Sequence, residues 1–397
     1  MVFRRKIPLA WKNLTHDLRR LATAASGIGF AVFLMFIETG FKHALFDSTV
    51  ELINVINADL VMVGKSRFAM VSVERFDRRR LDQARSMPGV ADAYPLFVET
   101  QMATVKKIKE NGYPIRVIAY ELDTPIFDGT KVAEMRHLMS KPNTAIVDTR
   151  TKLKYGLRAD SVEQLRDYHV ELENRQVHLV GNFTLGTDFS TDGSLIMSAQ
   201  NYARFFPYAS GGLGDPLSKI DLGIIKLDEN ARHRVAEVKS QLLQVFAHVD
   251  DVDIYTKTEF MDREKAFWNR NTPVAFVFAV GTVMGFIVGT VICYQIIFTD
   301  ITDHMPEFAT LKAMGYDNSY FLGLIVKEAL FLSVIGFIPG LLASGGVYWL
   351  LAEWTGLLLR LTVPRTLMVF GLTSLMCVVS GCLAIRKIVS ADPAELF

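Results

Sequence analysis

Charge is missing from four long stretches of this 397-residue chain, and that absence sets its class. Residues 21–37, 273–298, 329–351 and 366–385 contain no Asp, Glu, Lys or Arg, and each approaches or exceeds the ~20 apolar residues that cross a bilayer. Cysteine is scarce as well. The three present, Cys293, Cys377 and Cys382, all lie inside apolar runs, so they read as small packing residues and supply neither a disulfide framework nor a zinc spacing. No G-x-x-x-x-G-K-[ST] occurs, so any nucleotide hydrolysis belongs to another chain. No H-E-x-x-H or C-x-x-C closes around a metal, and the eight histidines are scattered. A formal charge of +1 gives no electrostatic case for nucleic acid.

What is present is hydrophobic: half of all residues, with 27 Phe, above the usual share for a soluble domain. Arg4, Arg5 and Lys6 before the first run also suit a secretory signal peptide. The basic flank extends through Arg19 and Arg20 with no small-x-small cleavage site followed by a polar start, which favours an uncleaved span. Arg4, Arg5, Lys6, Lys12, Arg19 and Arg20 precede the first span and Arg386 and Lys387 follow the last, so both termini are expected in the cytoplasm. The chain then divides into a cytoplasmic segment 1–20, span 21–40, an extracytoplasmic domain 41–271, span 272–298, a cytoplasmic loop 299–318, span 319–352, an outer loop 353–365, span 366–385 and a cytoplasmic tail 386–397. Arg360 and Arg365 in the outer loop run against this orientation.

The domain between the first two spans repeats one order of elements. DLVMV (59–63) reads as a buried strand, 75–87 as a helix and 90–97 as a strand. IDLGIIKL (220–227), the amphipathic 230–246 and 252–256 follow the same order. Two strand-helix-strand units flanking an insert predict one α+β module built from both ends of the segment. Within the insert, 99–218, pieces such as TAIVD (144–148) and HLVGNF (178–183) predict a second, β-rich lobe. In TDFSTDGS (187–194), Asp188, Asp192 and Gly193 resemble a calcium loop but lack its downstream Glu, so a polar turn is expected.

Secondary transport needs ionisable groups near the bilayer midplane, and the four spans have none. Lys327 and Glu328 come nearest. The run 320–351 would be about 48 Å long as one helix against a ~30 Å hydrocarbon core, which places that pair at the interface, snorkelling. In the second span Gly281, Gly285 and Gly289 recur every four residues, a face for close backbone approach to another span or across a homodimer. In the third, Pro339 removes a backbone donor among Gly336, Gly340, Gly345 and Gly346, a pattern that predicts a kink.

Between the second and third spans stands EFATLKAMGYD (307–317). Pro306 suits a first helical turn, Glu307 the positive helix end and Gly315 a C-terminal cap. Phe308, Leu311 and Met314 share one side, too few for an independent core, so that face must dock. Asp300, Asp303, Glu307 and Asp317 nearby make an anionic membrane surface a poor partner and another protein a better one.

EFATLKAMG resembles the coupling segment of MacB/FtsX-type (type VII) ABC transporter permeases, and SADPAELF (390–397) resembles their D-P-x-E ending. NADLVMV (57–63), GNFTLGTDFSTDGSLIMS (181–198), TPVAFVFAVGTVMGFIVGTVICYQIIFTDITDHMPEFATLKAMGY (272–316) and SGCLAIRKIVSADPAELF (380–397) look like the DevC-like branch. The resemblance implies an integral membrane α-helical fold, four transmembrane helices with a large α+β extracytoplasmic domain, a porter-like split module plus β-rich lobe, between spans 1 and 2. It implies a non-catalytic permease of the bacterial inner membrane, a homodimer with two copies of a separate cytoplasmic ABC ATPase. ATP and Mg sit on that ATPase, and this chain holds no cofactor or metal. A periplasmic membrane-fusion adaptor and a TolC-like outer-membrane channel are the further partners, exporting a glycolipid or other envelope molecule by mechanotransmission. Residue by residue, Met305, Glu307, Phe308, Leu311, Lys312, Met314 and Gly315 are expected to form or shape the ATPase contact, and Asp392, Pro393 and Glu395 to join it from the tail. On this reading Phe308→Asp uncouples the ATPase without unfolding the permease. The same scaffold would serve a lipoprotein- or lipid-extracting permease, or an FtsX-like regulator of cell-wall hydrolases that transports nothing. A self-contained channel or carrier is disfavoured by the charge-free spans.

Overall fold

The structure is a computed structural model that describes residues 18–107, 111–157, 170–188, 190–212, 214–355, 357 and 359–385. The chain forms two compact units, one from residues 1–43, 273–350 and 359–397, the other from 44–272 and 351–358.

The first unit is a helix bundle. Its apolar helices are α1 (Leu18–Val55), α8 (Val274–Asp303), α10 (Asn318–Thr355) and α11 (Val363–Ala384), with the short α9 (Met305–Ala313) between α8 and α10. All four long helices are apolar and long enough to cross a membrane, as their uncharged runs predict, and this is a multi-pass membrane protein. α1 and α10 have 38 residues each, about 57 Å at the helical rise, well beyond the ~30 Å core; their C-terminal ends belong to the second unit.

Small residues set the packing of this bundle. A Cβ on Gly289 would lie 2.5 Å from Met376 Sδ and 2.7 Å from Ala31 Cβ, and one on Gly281 would meet the Glu38 carboxylate at 2.4 Å. The Gly281, Gly285, Gly289 face is thus occupied by α1 and α11 of the same chain. Gly336 and Gly340 do the same service for α10, whose helix continues through Pro339: a Cβ on Gly340 would stand 2.6 Å from Gly29 O. Phe337 packs against Phe36 with rings tilted and centroids 5.8 Å apart, and edge to face against Phe370 at 5.1 Å. Cys293 and Cys377 are buried in this core while Cys382 is exposed, all three free.

The second unit is built on one eleven-stranded sheet, in the order β13-β1-β12-β3-β6-β10-β7-β9-β8-β4-β5. The predicted split module forms one end. β1 (Leu60–Gly64), α2 (Arg79–Arg85) and β3 (Val90–Glu99) make one strand-helix-strand unit, and β12 (Leu222–Leu227), α6 (Val235–Phe246) and β13 (Val252–Thr256) the other. They interleave, since β1 pairs antiparallel with both β12 and β13. The insert is β-rich as expected, but it extends the same sheet. β3 is long enough to pair with β12 through Leu96 and then with β6 (Arg116–Tyr120) through Glu99. Beyond β6 come β10 (Ser194–Ser198), β7 (Thr144–Asp148), β9 (Arg175–Phe183), β8 (Val170–Leu172), β4 (Thr104–Lys107) and β5 (Tyr113–Pro114). Both faces carry apolar cores, which explains why β1, β6, β7 and β10 are buried at every position and read as continuous apolar runs.

A buried ion cluster pins the loop after β1 to this sheet. Asp221 accepts from Arg67 Nη1 at 3.0 Å, Arg75 Nε at 3.0 Å and the Val98 backbone N–H at 2.9 Å, while Arg75 Nη2 reaches Glu99 at 2.8 Å. Arg67, Glu99 and Asp221 are 1% exposed or less. Burial disfavours the Arg75 charge, but Asp221 and Glu99 outweigh it and hold its pKa above the ordinary arginine value. α7 (Lys257–Asn271) starts at a capping box, Thr256 with Glu259.

Two outcomes follow from these contacts. Asp221→Ala leaves the buried Arg67 without an ion-pair partner and Arg75 with Glu99 alone, at a cost of about 3–5 kcal/mol, read as a lower unfolding midpoint of the purified protein; an unchanged midpoint contradicts the cluster's role. Gly289→Leu or Gly340→Val overpacks the bundle by about 1–3 kcal/mol, whereas Gly346→Ala, with nothing within 4 Å, stays within about 0.5 kcal/mol of the parent in the same assay.

Candidate coupling site

α9 is fixed by its ends. Pro306 occupies the first turn with Glu307 beside it, where a missing N–H and a negative charge both suit the helix start. At the other end Tyr316 N–H donates to Leu311 O at 3.2 Å and Gly315 N–H to Lys312 O at 3.0 Å, the paired bonds of a Schellman cap. Gly315 has φ of +91°, a conformation costly for any residue with a Cβ. Asp317 then starts α10: its carboxylate accepts from the Ser319 hydroxyl at 2.7 Å, and that bond with the Asn318 and Ser319 backbone N–H groups holds its pKa below the usual carboxylate range.

The two sides of α9 differ. Met305, Phe308 and Ala309 are 5–8% exposed and belong to the bundle core, with the Phe308 ring edge-on to Phe321 at 5.9 Å. Leu311 packs against the same core and Lys312 is half-buried. Glu307 and Thr310 are exposed, as are Met314 at 63% and Tyr316 at 44%. The expected docking side of Phe308, Leu311 and Met314 is therefore split: the first two pack inward and only Met314 faces out. Phe308→Asp would put a charge into an apolar core and destabilise the bundle, so it cannot report coupling alone. Helical spacing shows that these residues share a side; it cannot say whether this chain or another covers it.

A charge cluster that the sequence reading missed lies beside α9. Arg20 Nη1 of α1 sits 2.8 Å from Asp303 Oδ2 and 3.6 Å from Asp300 Oδ1 of α8. His304 Nδ1 lies 3.7 Å from Asp300. Glu328 of α10 is 3% exposed, and Asp300 and Arg20 are the charged groups that act on it. Lys327 is exposed but Glu328 is not, so the expectation that both snorkel is corrected: Glu328 is buried in the bundle. The charges at the run ends were visible; contacts between residues 283 positions apart were not. The Arg20 pairs join α1 to the end of α8 that leads into α9, and the Gly315 cap closes α9 just before α10.

Asp392, Pro393 and Glu395 lie outside the described residues, as do Arg386 and Lys387. In the second unit, Asp188 closes a polar turn, accepting from Ser190 and Thr191 N–H at 2.8 and 3.0 Å, and pairs with Arg116 at 2.5 Å. Asp192 pairs with Lys152 and Lys154. Burial pushes its pKa up, but those two lysines outweigh the effect and hold it low. Among the described residues no His/Cys/Asp/Glu group could hold a metal ion.

Residues 278–393 match the FtsX-like permease C-terminal family. No curated protein matches the sequence. Solved structures similar to the chain include the periplasmic region of MacB from Actinobacillus actinomycetemcomitans, 10% identical with a TM-score of 0.36, covering 53% of this chain and 94% of that one. Another is the extracellular domain of the noncanonic ABC-type transporter YknZ from Gram-positive bacteria, 11% identical with a TM-score of 0.31, covering 50% and 99%. A domain of a permease protein from Porphyromonas gingivalis is 11% identical with a TM-score of 0.29, covering 51% and 89%. The family match takes in most of α8 and all of α9, α10 and α11, so this C-terminal part of the chain is an FtsX-like permease domain.

Proposed function

We propose that this chain couples ATP hydrolysis on a separate cytoplasmic ATPase to shape changes in the domain between its first two spans. The observation that carries the reading is the two-sided α9. Its inner side is locked into the bundle by Met305 and Phe308, while Glu307, Met314 and Tyr316 remain available to a partner. A helix buried on every side could receive no force, and one attached to nothing could pass none on. The ion pairs of Arg20 with Asp303 and Asp300 would carry a displacement at the end of α8 that leads into α9 across to α1, because moving either helix alone would separate opposite charges in contact.

In the full assembly two copies of this chain would pair in the bacterial inner membrane, both termini cytoplasmic, and bind two ATPase copies that hold ATP and Mg. The glycine face of α8 is filled from within the chain, so pairing would use another surface. The DevC-like patterns favour a tripartite exporter with a periplasmic adaptor and an outer-membrane duct, moving a glycolipid or other envelope molecule.

The test contrasts the two sides of α9. Met314→Asp is expected to leave yield and unfolding midpoint unchanged and to weaken association with the co-expressed cognate ATPase at least tenfold, the scale of a central interface residue. Phe308→Asp is expected to lower the yield of folded protein. Wild-type ATPase association and export in the Met314→Asp variant would contradict the assignment.

A further inference from the structure

The second unit contains a cavity of about 260 Å³ that the coupling reading does not use. It is lined by Leu52 and Val55 of the last turns of α1, Phe127 and Val132 around α3 (Lys131–Glu134), Phe183 and Leu185 at the end of β9, and Ile196 of β10. Thr130, Lys131 and Thr184 complete the lining. The apolar floor of this open cavity is made of side chains packed into the core: Leu52, Phe127, Val132, Phe183, Leu185 and Ile196 are each under 5% exposed. Polar side chains in the lining are confined to Thr130, which is half-buried, and Thr184 and Lys131, which are exposed. The two hydroxyls are already engaged, Thr130 Oγ1 donating to Phe127 O at 2.6 Å and Thr184 Oγ1 bonded to Thr149 Oγ1 at 2.9 Å. Lys131 carries the single charge of the lining, is exposed, and forms no ion pair among the described residues.

We infer that this cavity binds a medium-chain fatty-acyl anion, with its hydrocarbon against Leu52, Val132, Leu185 and Ile196 and its carboxylate at Lys131. Three features select that chemistry. The volume exceeds the ~150 Å³ apolar cavity that takes benzene, which scales to room for about ten carbon atoms. The wall offers no hydrogen-bonding group to satisfy a polar body such as a sugar or peptide, whose burial would go uncompensated. The one charge in the lining is positive, so an anionic end is attracted and a cationic one repelled. The chain also meets α1 directly through Leu52 and Val55, so a bound ligand touches the helix whose N-terminal part is the first apolar run. This deepens the export reading, on which it rests for the ligand's role as cargo; binding itself requires no ATPase.

The experiment uses the full chain in phosphatidylcholine nanodiscs with decanoic acid bearing a diazirine at its methyl end, photolysed and mapped by mass spectrometry. The expected result is adducts within 127–132 and 183–196 that unlabelled decanoate displaces. Val132→Trp, which fills the cavity, and Lys131→Glu, at an exposed position that leaves the fold intact, are each expected to cut labelling about tenfold with no change in unfolding midpoint. A diazirine decanol of equal length should label weakly. Absence of displaceable adducts in those segments, equal labelling in Lys131→Glu, or equal labelling by the alcohol would overturn the inference. Failure here leaves ATPase association in the Met314→Asp comparison untouched, and failure there leaves this binding untouched, so the two readings fall separately.

Discussion

Phe308 turned edge-on to Phe321 is the contact on which the behaviour of the coupling helix depends. α9 has only nine residues, too short to hold its shape alone in water. Its stability comes from what it borrows: a buried aromatic side, a proline start and a left-handed glycine at its end. With those in place the helix is part of the bundle; without them it is a loop. Burying Phe308 and Met305 stabilises by about 1.5–3 kcal/mol per side chain, enough to keep a nine-residue helix seated.

The charge cluster adds direction to that attachment. Arg20 pairs with Asp300 and Asp303 across α1 and α8, and opposite charges in contact tolerate collective motion better than separation. Close glycine contacts along α1, α8 and α10 work the same way, because backbones in near contact cannot slide past one another without opening voids. Under the proposed function, such a bundle would move in blocks.

Much of this was legible in the sequence, unevenly. The four apolar helices followed from uncharged runs, since length and hydrophobicity alone decide whether a helix can span. The split module followed from a repeated strand-helix-strand order, which local periodicity records. The join between module and insert did not, because it depends on β3 pairing with β12 at one end and β6 at the other, and strand partners are not encoded in local spacing. The inward turn of Phe308 and the burial of Glu328 escaped for a related reason. Periodicity gives the side of a helix on which a residue lies, whereas its neighbour is a property of the whole fold. Gly281, Gly285 and Gly289 were visible as a packing face, and the structure supplies the occupant.

The most direct test of the two-sided coupling helix is solvent reactivity at its two sides, in a variant with Cys382→Ser so that the remaining native cysteines are the buried Cys293 and Cys377. Met314→Cys and Phe308→Cys would be exposed to a membrane-impermeant maleimide in sealed vesicles of each orientation, with and without the cognate ATPase bound. The account predicts rapid labelling at position 314 only from the cytoplasmic side, protection there by the ATPase, and negligible labelling at 308. Equal reactivity at the two positions, or labelling of 314 from the outer side, would contradict it.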